Sequence, residues 1–278
     1  MSPPIATPRS RALGFGLRKA RQARGLGLRE LARGADVRPG DLSNWELGLR
    51  VPKVEEVALL LGRMQVSVEE RTRLLELAEN AREPNWLESK VGPDVAAFAE
   101  YERTAAALFT WQPILVPGLL QTEDYIRAIA TIPQRTRAEV QHLTEVKLSR
   151  QERLRGRDPL AYAALLGESA LRHGFGGPAV MAEQLHRLLA AMNRPNVSLR
   201  IVPATDHGHP GVWGSFSILE FPALPPIVFI EQYQGSAYLY DDDQVSAYRA
   251  AAGSMTSLAL SEPDSAQLLR EVLAELEA

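Results

Sequence analysis

The sequence predicts an α+β fold, mainly helical, in which an N-terminal domain of five helices precedes a larger α/β-type C-terminal domain with a small sheet. Apolar residues recur at helical spacing from Leu13 to Ala81. Beyond Pro159, short apolar runs bounded by glycine and proline are typical of strands, and they alternate with further helical patterns. The chain of 278 residues is long enough for two domains.

Five short helices are predicted near the N-terminus from their apolar stripes and end signals. They lie at residues 13–20, 28–32, 39–48, 57–64 and 68–81. Pro39 suits the first turn of the third helix and Gly48 suits its end, whereas Ser67 and Glu70 form a capping box that opens the fifth. We therefore expect a flexible N-terminus at 1–10, the helical domain at 11–81, a linker at 82–94 and a C-terminal domain at 95–278.

The C-terminal domain is predicted to mix strands and helices. Thr122 precedes two acidic residues and is a typical N-cap, so residues 122–130 are predicted to form a helix. Further helices are predicted at 135–155, 179–191, 242–260 and 264–276. Strands are predicted at 159–166, 196–203, 213–221 and 226–233, and the segment 95–109 fits either a helix or a pair of strands.

The basic residues are concentrated near the N-terminus. Residues 9–53 carry eleven lysines and arginines against four acidic residues, a net charge of +7, whereas the whole chain carries −3. A basic N-terminal segment on an otherwise acidic chain favours contact between that segment and a polyanion. Solvated helix faces would explain some of these arginines but not the asymmetry.

Composition excludes or disfavours several kinds of site. The chain has no cysteine, which excludes disulfides, thiolate zinc sites and cysteine nucleophiles. Its apolar runs are far shorter than the ~20 residues that span a bilayer, so we expect a cytoplasmic protein with no membrane contact. We also expect no cofactor and no metal: the glycines of 174–179 do not directly follow a strand, and His207 and His209 lie on a Gly/Pro-rich loop.

Residues 11–66 resemble the lambda-repressor-like (XRE) helix-turn-helix domains. The resemblance rests on LRKARQARGLGLRELA in the first two helices, on LSNWELGLRVP at the end of the third and on the aliphatic fourth helix. It implies that double-stranded DNA is the partner, with the start of the third helix in the major groove and two copies paired on a palindromic operator. It also implies a structural ion pair between Arg21 and Glu46.

Three side chains are candidate base contacts, and four more are candidate phosphate contacts. We expect Arg38, Ser43 and Asn44 to face base edges, because arginine suits guanine and asparagine suits adenine. Asp41 would repel nearby phosphates, although it suits the N-terminal end of a helix. The basic residues expected to contact phosphates are Arg18, Arg29, Arg50 and Lys53.

From Phe98 onwards, the chain resembles the C-terminal domain attached to XRE heads in actinobacterial antitoxin-like transcriptional regulators. The strings VPGLLQTEDYIRA and MAEQLHRLL carry this resemblance. It implies a transcription factor that in some relatives is encoded beside a small acidic partner protein. We expect the C-terminal domain to form a homodimer and to sense a small-molecule effector or such a partner.

A ligand pocket is expected where predicted strands of the C-terminal domain end. Glu168 directly follows one strand and Glu231 ends another, and α/β domains gather ligands at such positions. Local ion pairs with Arg172 or Arg200 explain these carboxylates equally well. The aromatic residues that could line the same cavity, each of which also fits a core position, are Trp111, Trp213, Phe216 and Tyr233.

The sequence therefore predicts a sequence-specific DNA-binding transcriptional regulator and not an enzyme. An alternative is an antitoxin-like protein-interaction partner with weak or no specific DNA binding, because Leu28, Pro39 and Gly40 cannot hydrogen-bond to DNA through their side chains. A third hypothesis, an enzyme with a regulatory head, requires turnover that depends on Glu168 or Glu231.

Overall fold

The computed structural model describes residues 7–82, 86–88, 95–132, 135–204, 208–232 and 235–277. The chain divides into two compact units, Met1–Glu100 with Gln234–Gln244 and Tyr101–Tyr233 with Val245–Ala278. The predicted α+β class is confirmed: the protein is mostly helical, with a helical N-terminal region and a mixed sheet in the C-terminal domain.

The first unit contains the five predicted helices. They are α1 Pro8–Ala23, α2 Leu28–Gly34, α3 Pro39–Glu46, α4 Val54–Met64 and α5 Val68–Glu79. Residues 8–10, expected in a flexible N-terminus, are instead helical, because Thr7 caps α1 by accepting a hydrogen bond from the Ser10 N–H at 3.1 Å. The Thr7 hydroxyl also donates to the Ala81 carbonyl beyond the end of α5, which ties the two ends of the helical region together.

Two short strands outside the predicted set also belong to the first unit. β1, Trp86–Glu88, falls within the expected linker and pairs antiparallel with Gly235–Leu239, the last strand of the chain, here β7. Trp86 lies opposite Tyr238 in this ladder. The first unit is therefore formed by two separate parts of the chain.

The second unit is built on five strands. They are β2 Ala107–Gln112, β3 Ala161–Gly167, β4 Val197–Val202, β5 Phe216–Glu220 and β6 Ile227–Gln232, in the spatial order β6-β5-β2-β3-β4. β2, β3 and β4 run parallel to one another, whereas β5 is antiparallel to both β2 and β6. The strand predictions at 159–166, 196–203, 213–221 and 226–233 are confirmed within a few residues.

The predicted helices of the C-terminal region are present with shifted ends, and one short helix, Ser169–Arg172, was not predicted. They are α6 Val95–Thr104, α7 Glu123–Ala130, α8 Arg137–Arg150, α9 Ser169–Arg172, α10 Pro178–Ala191, α11 Asp242–Leu258 and α12 Glu262–Glu277. The long helix predicted at 135–155 ends at Arg150 and continues as a 3₁₀ turn, Gln151–Leu154. The segment 95–109, which the sequence left open, is a helix followed by a strand.

The two strings that carried the C-terminal resemblance meet in the core of the second unit. Gln184, on α10, is fully buried; its Oε1 accepts from the Thr122 N–H and its Nε2 donates to the Leu120 carbonyl, both at 2.8 Å. Gln121 donates to the Val116 carbonyl at 2.6 Å. Because buried backbone groups need partners, these glutamines fix the loop that precedes α7.

A close helix contact of the first unit joins α1 to the end of α3. A Cβ atom added to Gly14 would lie 2.2 Å from the Trp45 carbonyl oxygen and 2.9 Å from the Gly48 nitrogen. Gly48 follows the end of α3 with a φ of 70°. Its N–H donates to the Trp45 carbonyl at 3.0 Å, and the Leu49 N–H donates to the Asn44 carbonyl at 2.9 Å. This left-handed ending leaves room for α1 only because both positions are glycine.

We predict that Gly14→Ala lowers the free energy of unfolding by about 2 kcal/mol or more, because the new methyl group would force α1 away from α3. Urea denaturation of the full chain, followed by circular dichroism, measures this change. The matched control is Gly62→Ala on α4, where an added Cβ meets nothing within 4 Å. That change should stabilise the protein by about 0.5–1 kcal/mol, and equal effects of the two substitutions would contradict the proposed contact.

Candidate nucleic-acid interface and ligand sites

Helices α2 and α3 form the two arms of a helix-turn-helix. Leu31 and Ala32 anchor α2 in the core, and Leu42 and Trp45 anchor α3, each with at most 7% of its surface exposed. Pro39 occupies the first turn of α3, as predicted. Since the buried residues lie on one face, the opposite face of each helix is left to solvent.

The structure brings Arg21 and Glu46 together as a two-pronged ion pair. Arg21 Nε lies 2.6 Å from Glu46 Oε1, and Nη2 lies 2.8 Å from Oε2. The third nitrogen, Nη1, donates to the Leu26 carbonyl at 2.9 Å, so the guanidinium also fixes the chain between α1 and α2. The hydrogen bond with Glu46 raises the pKa of Arg21 above its ordinary value. This pair connects α1 to the last residue of α3 and thereby sets the direction of α3.

The predicted base contacts lie on or beside α3. The Arg38 side chain, at the N-cap position, is 85% exposed, and Ser43 and Asn44 are half-buried. Among the predicted phosphate contacts, Arg29, Arg50 and Lys53 are exposed and Arg18 is half-buried. The unit thus presents arginine, serine and asparagine from one short helix, surrounded by cations from the neighbouring segments.

Asp41 holds two of these arginines. Its Oδ2 lies 2.7 Å from Arg38 Nε, and its Oδ1 lies 3.4 Å from Arg50 Nη1. A predicted base contact and a predicted phosphate contact are therefore linked by one carboxylate in the DNA-free protein. The sequence predicts that Asp41 repels phosphates and suits the start of a helix, but it does not predict this bridge. The three-residue spacing between Arg38 and Asp41 was the available signal.

Comparison with protein families assigns both parts of the chain. A family model described as Helix-turn-helix matches residues 17–71. A second, described as Domain of unknown function (DUF5753), matches residues 95–271, well over half of the chain. The chain belongs to the DUF5753 family. Comparison with curated proteins and with solved structures gave no match.

The match of residues 17–71 to the Helix-turn-helix family supports a DNA-binding regulator, since the Helix-turn-helix family is a family of DNA-binding regulators. No described helix combines the length and apolar character needed to cross a membrane. Among the described residues, no group of three or more histidines and carboxylates is arranged to hold a metal ion. His209 lies within them, and its Nδ1 accepts from the Gly211 N–H at 3.1 Å.

The aromatic residues of the expected pocket lie in different surroundings. Trp111, at the end of β2, is buried and donates from Nε1 to the Gly211 carbonyl at 2.9 Å. Phe216 lies opposite Trp111 in the sheet, and its ring centroid is 4.9 Å from that of Tyr248 on α11. Trp213 is 91% exposed. Two of these residues therefore pack in the core, and the third faces solvent.

The two carboxylates of the expected pocket also lie in different surroundings. Glu168 forms an ion pair with Arg172 at 3.1 Å and accepts from the Ala204 N–H at 3.1 Å beside a recess of about 190 Å³. This is the local ion pair that the sequence left open as an alternative. Glu231 is exposed at the end of β6, and Tyr233 lies outside the described residues.

A larger cavity, of about 740 Å³, lies at the opposite ends of the parallel strands, where β2 and β3 begin. Its lining includes Ala107, Ala161 and Ala163 from these strands. The segment 159–166 is nearly all apolar and fits a buried strand, but Ala161 is exposed and Ala163 is half-buried. The available signal was the small residue at alternate positions of this strand, because alternate residues share one face of a sheet.

We predict that Arg21 and Glu46 are strongly coupled in stability. Arg21→Met alone should cost about 3–5 kcal/mol, because it leaves the Glu46 carboxylate buried without a partner. In a double-mutant cycle with Glu46→Gln, the coupling free energy should reach about 2 kcal/mol.

The matched control for this cycle is the exposed pair of Arg127 and Glu123 on α7. The same substitutions there should give a coupling below about 0.5 kcal/mol. Urea denaturation of the singles and doubles measures both values. A coupling between Arg21 and Glu46 no larger than that of the control pair would show that the buried pair does not fix α3.

Proposed function

We propose that the protein is a sequence-specific DNA-binding transcriptional regulator that inserts the start of α3 into the major groove. The observation that carries the proposal is the placement of Arg38, Ser43 and Asn44 on a short helix whose other face is fixed to α1. A rigidly held helix with polar side chains at its start can read base edges with a defined register.

Each side chain has a role that follows from its chemistry. Arg38 is long enough to donate two hydrogen bonds to O6 and N7 of a guanine, and the Asn44 amide can pair with N6 and N7 of an adenine. Ser43 offers a hydroxyl to either base. The cations that neutralise phosphates and carry no sequence information are Arg18, Arg29, Arg50 and Lys53.

The second unit is proposed to dimerise and to sense a ligand or a partner protein, such as a small acidic one, in the cytoplasm. One helix-turn-helix reads only a short half-site, and a dimer doubles the contact area on a palindromic operator. The cavity of about 740 Å³ supports a ligand-sensing role, because it has the size of a small-molecule site.

One observation favours a second candidate, an antitoxin-like interaction partner with weak DNA binding. Asp41 already forms ion pairs with Arg38 and Arg50. The exposed Pro39 and Gly40 at the start of α3 offer no side-chain hydrogen bond. If the bridge persisted on DNA, the remaining base contacts would come from Ser43 and Asn44 alone.

Selection of genomic fragments with the purified full chain tests the proposal. Fragments of the genome that encodes the protein are incubated with it in the presence of competitor DNA, and the retained fragments are sequenced. A shared motif with a steep salt dependence supports the regulator. Retention of no motif at low salt would instead support the interaction partner.

On a selected fragment, we predict that Asn44→Ala weakens binding about 10-fold while leaving affinity for unrelated DNA unchanged, because it removes a base contact. Arg29→Ala should weaken binding to both DNAs by similar factors and reduce the salt slope by about 1, because it removes a phosphate contact. Fluorescence anisotropy at a series of salt concentrations measures both effects. Equal losses on both DNAs for Asn44→Ala would remove this residue from base reading.

We predict that Asp41→Asn tightens DNA binding about 3- to 10-fold more than Asp36→Asn does, because only the first change frees Arg38 and Arg50. The two variants lose the same charge, and Asp36 has a φ of 53°, a conformation that asparagine tolerates. Anisotropy titration with the selected fragment makes the comparison. Equal or weaker binding by Asp41→Asn would mean that the bridge orients the arginines for DNA and does not compete with it.

A further inference from the structure

A short turn of the second unit presents two consecutive apolar side chains to solvent. The 3₁₀ turn Pro210–Trp213 precedes β5, and within it Val212 is 67% exposed and Trp213 is 91% exposed. A single exposed apolar residue is ordinary on a protein surface, but these two are neighbours. Tryptophan is also enriched among the residues that contribute most to protein–protein binding. We call Val212 and Trp213 the apolar tip.

The backbone beneath the apolar tip is fixed. The Gly211 carbonyl accepts from Trp111 Nε1 at 2.9 Å, and the Gly211 N–H donates to His209 Nδ1 at 3.1 Å. A Cβ atom added to Gly211 would overlap the sulfur of Met255 and the ring of Trp111. The backbone of the turn therefore needs little ordering when a partner binds, which lowers the entropic cost of the contact.

The apolar tip and the cavity of about 740 Å³ belong to the same face of the sheet, at opposite ends of β2. Ala107, Phe109 and Trp111 alternate with the other residues of β2, so their side chains point to one side. Ala107 and Phe109 line the cavity where β2 begins, whereas Trp111 bonds to the turn where β2 ends. The two features are thus separated along β2 by four residues, or about 13 Å.

Helix α11 covers this face and reaches both features. Its Ala252 lines the cavity, and its Met255, one turn later, lies against Gly211 of the turn. The tip and the cavity therefore flank one helix on one side of the second unit. A twofold dimer requires such a layout, because an axis midway between two features of one surface places each against its counterpart on the other copy.

The lining of the cavity suits an apolar side chain. Its floor contains three alanines, Ala107, Ala161 and Ala163, which leave the space above them empty. The charged residues of the lining are of both signs and therefore select neither a cation nor an anion; they are Arg194, Arg249, Glu220 and Glu262. An apolar centre with a polar rim is the usual composition of a protein–protein interface.

The surface involved is large enough for a pair of copies. An aromatic side chain buries about 150–250 Å², so two tryptophans and the cavity walls that cover them bury on the order of 600–1,000 Å². The two valines and the surface between the contacts bring the total towards the roughly 1,200 Å² at which specific interfaces begin. One tip in one cavity falls well below that area, which favours the reciprocal arrangement.

We propose that the second unit forms a twofold dimer in which the apolar tip of each copy inserts into the cavity of the other. This inference rests on the dimerisation proposed for the second unit and names the surface that performs it. Because the sensing role was proposed for the same cavity, a small molecule that fills it would displace the tip and separate the two copies. The dimer requires no DNA, so it can be tested apart from DNA binding.

Sedimentation velocity of the full chain without DNA, from low to high micromolar concentration, tests the tip. The chain should form a dimer, and Trp213→Ala should raise its Kd about 100-fold or more, because both copies lose the central side chain of the contact. The matched control is Val68→Ala, which shortens a side chain that is 80% exposed in the first unit and should leave the Kd unchanged.

Filling the cavity tests the other half of the contact. Ala161→Phe, at an exposed position of the lining, should raise the Kd as much as Trp213→Ala does, and Ala163→Leu serves as a second filling variant. Ala274→Phe, at an exposed position of α12, is the control and should have no effect. Tryptophan emission should shift to shorter wavelength as the unaltered chain dimerises, and Ala161→Phe should remove this shift.

A mixture of Trp213→Ala and Ala161→Phe tests whether the contact is reciprocal. One copy keeps an open cavity and the other keeps its tip, so one of the two contacts can still form. With one variant labelled, fluorescence-detected sedimentation should show a heterodimer about 10-fold or more tighter than either variant with itself. Circular dichroism shows whether each variant is folded.

Three results would overturn the inference: a monomer at every concentration, a dimer that survives both Trp213→Ala and the filling variants, or no heterodimer in the mixture. A chain that dimerises in this manner but retains no DNA motif would contradict the proposed regulator and leave the contact intact. A chain that selects a motif but stays monomeric would do the reverse.

Discussion

The position of α3 depends on its contact with α1. Gly14 and Gly48 let the two helices approach until a single added methyl group would overlap the backbone, and the Arg21–Glu46 ion pair joins the same two helices. Packing fixes the distance, and the two-pronged ion pair fixes the rotation, because a guanidinium and a carboxylate share a plane when they bond twice. A helix held this way keeps its polar residues in one arrangement before any partner binds.

Electrostatics within the first unit adds a second constraint. The segment 9–53 carries a net charge of +7, yet two of its exposed arginines share Asp41. The same carboxylate can lower DNA affinity by competing for the arginines and raise specificity by limiting their freedom. In the second unit, buried glutamines hydrogen-bond to the loop before α7. These glutamines lie in the two sequence strings that carry the C-terminal resemblance, so those strings have a structural role.

The sequence predicted most of the elements but not the features that require distant partners. Apolar stripes and caps located α2 to α5, and the resemblance supplied the Arg21 to Glu46 pair. The start of α1 was missed because Thr7 and Pro8 signal a helix by capping and not by hydrophobicity. β7 belongs to the first unit and pairs with β1, and a three-residue strand such as β1 has no periodicity to detect. The cavity where β2 and β3 begin was not predicted, because it depends on which face of β3 the helices leave uncovered. The strand-end pattern pointed instead to Glu168, at the opposite end of β3.

A dimethyl sulfate protection footprint on a selected genomic fragment tests the central claim most directly. Methylation at guanine N7 reports contacts in the major groove, where the proposed function puts Arg38. The account predicts protected guanines in two patches about one helical turn apart, one for each copy of α3. Binding that retards the fragment but leaves every guanine N7 reactive would contradict it, because α3 would then lie outside the major groove.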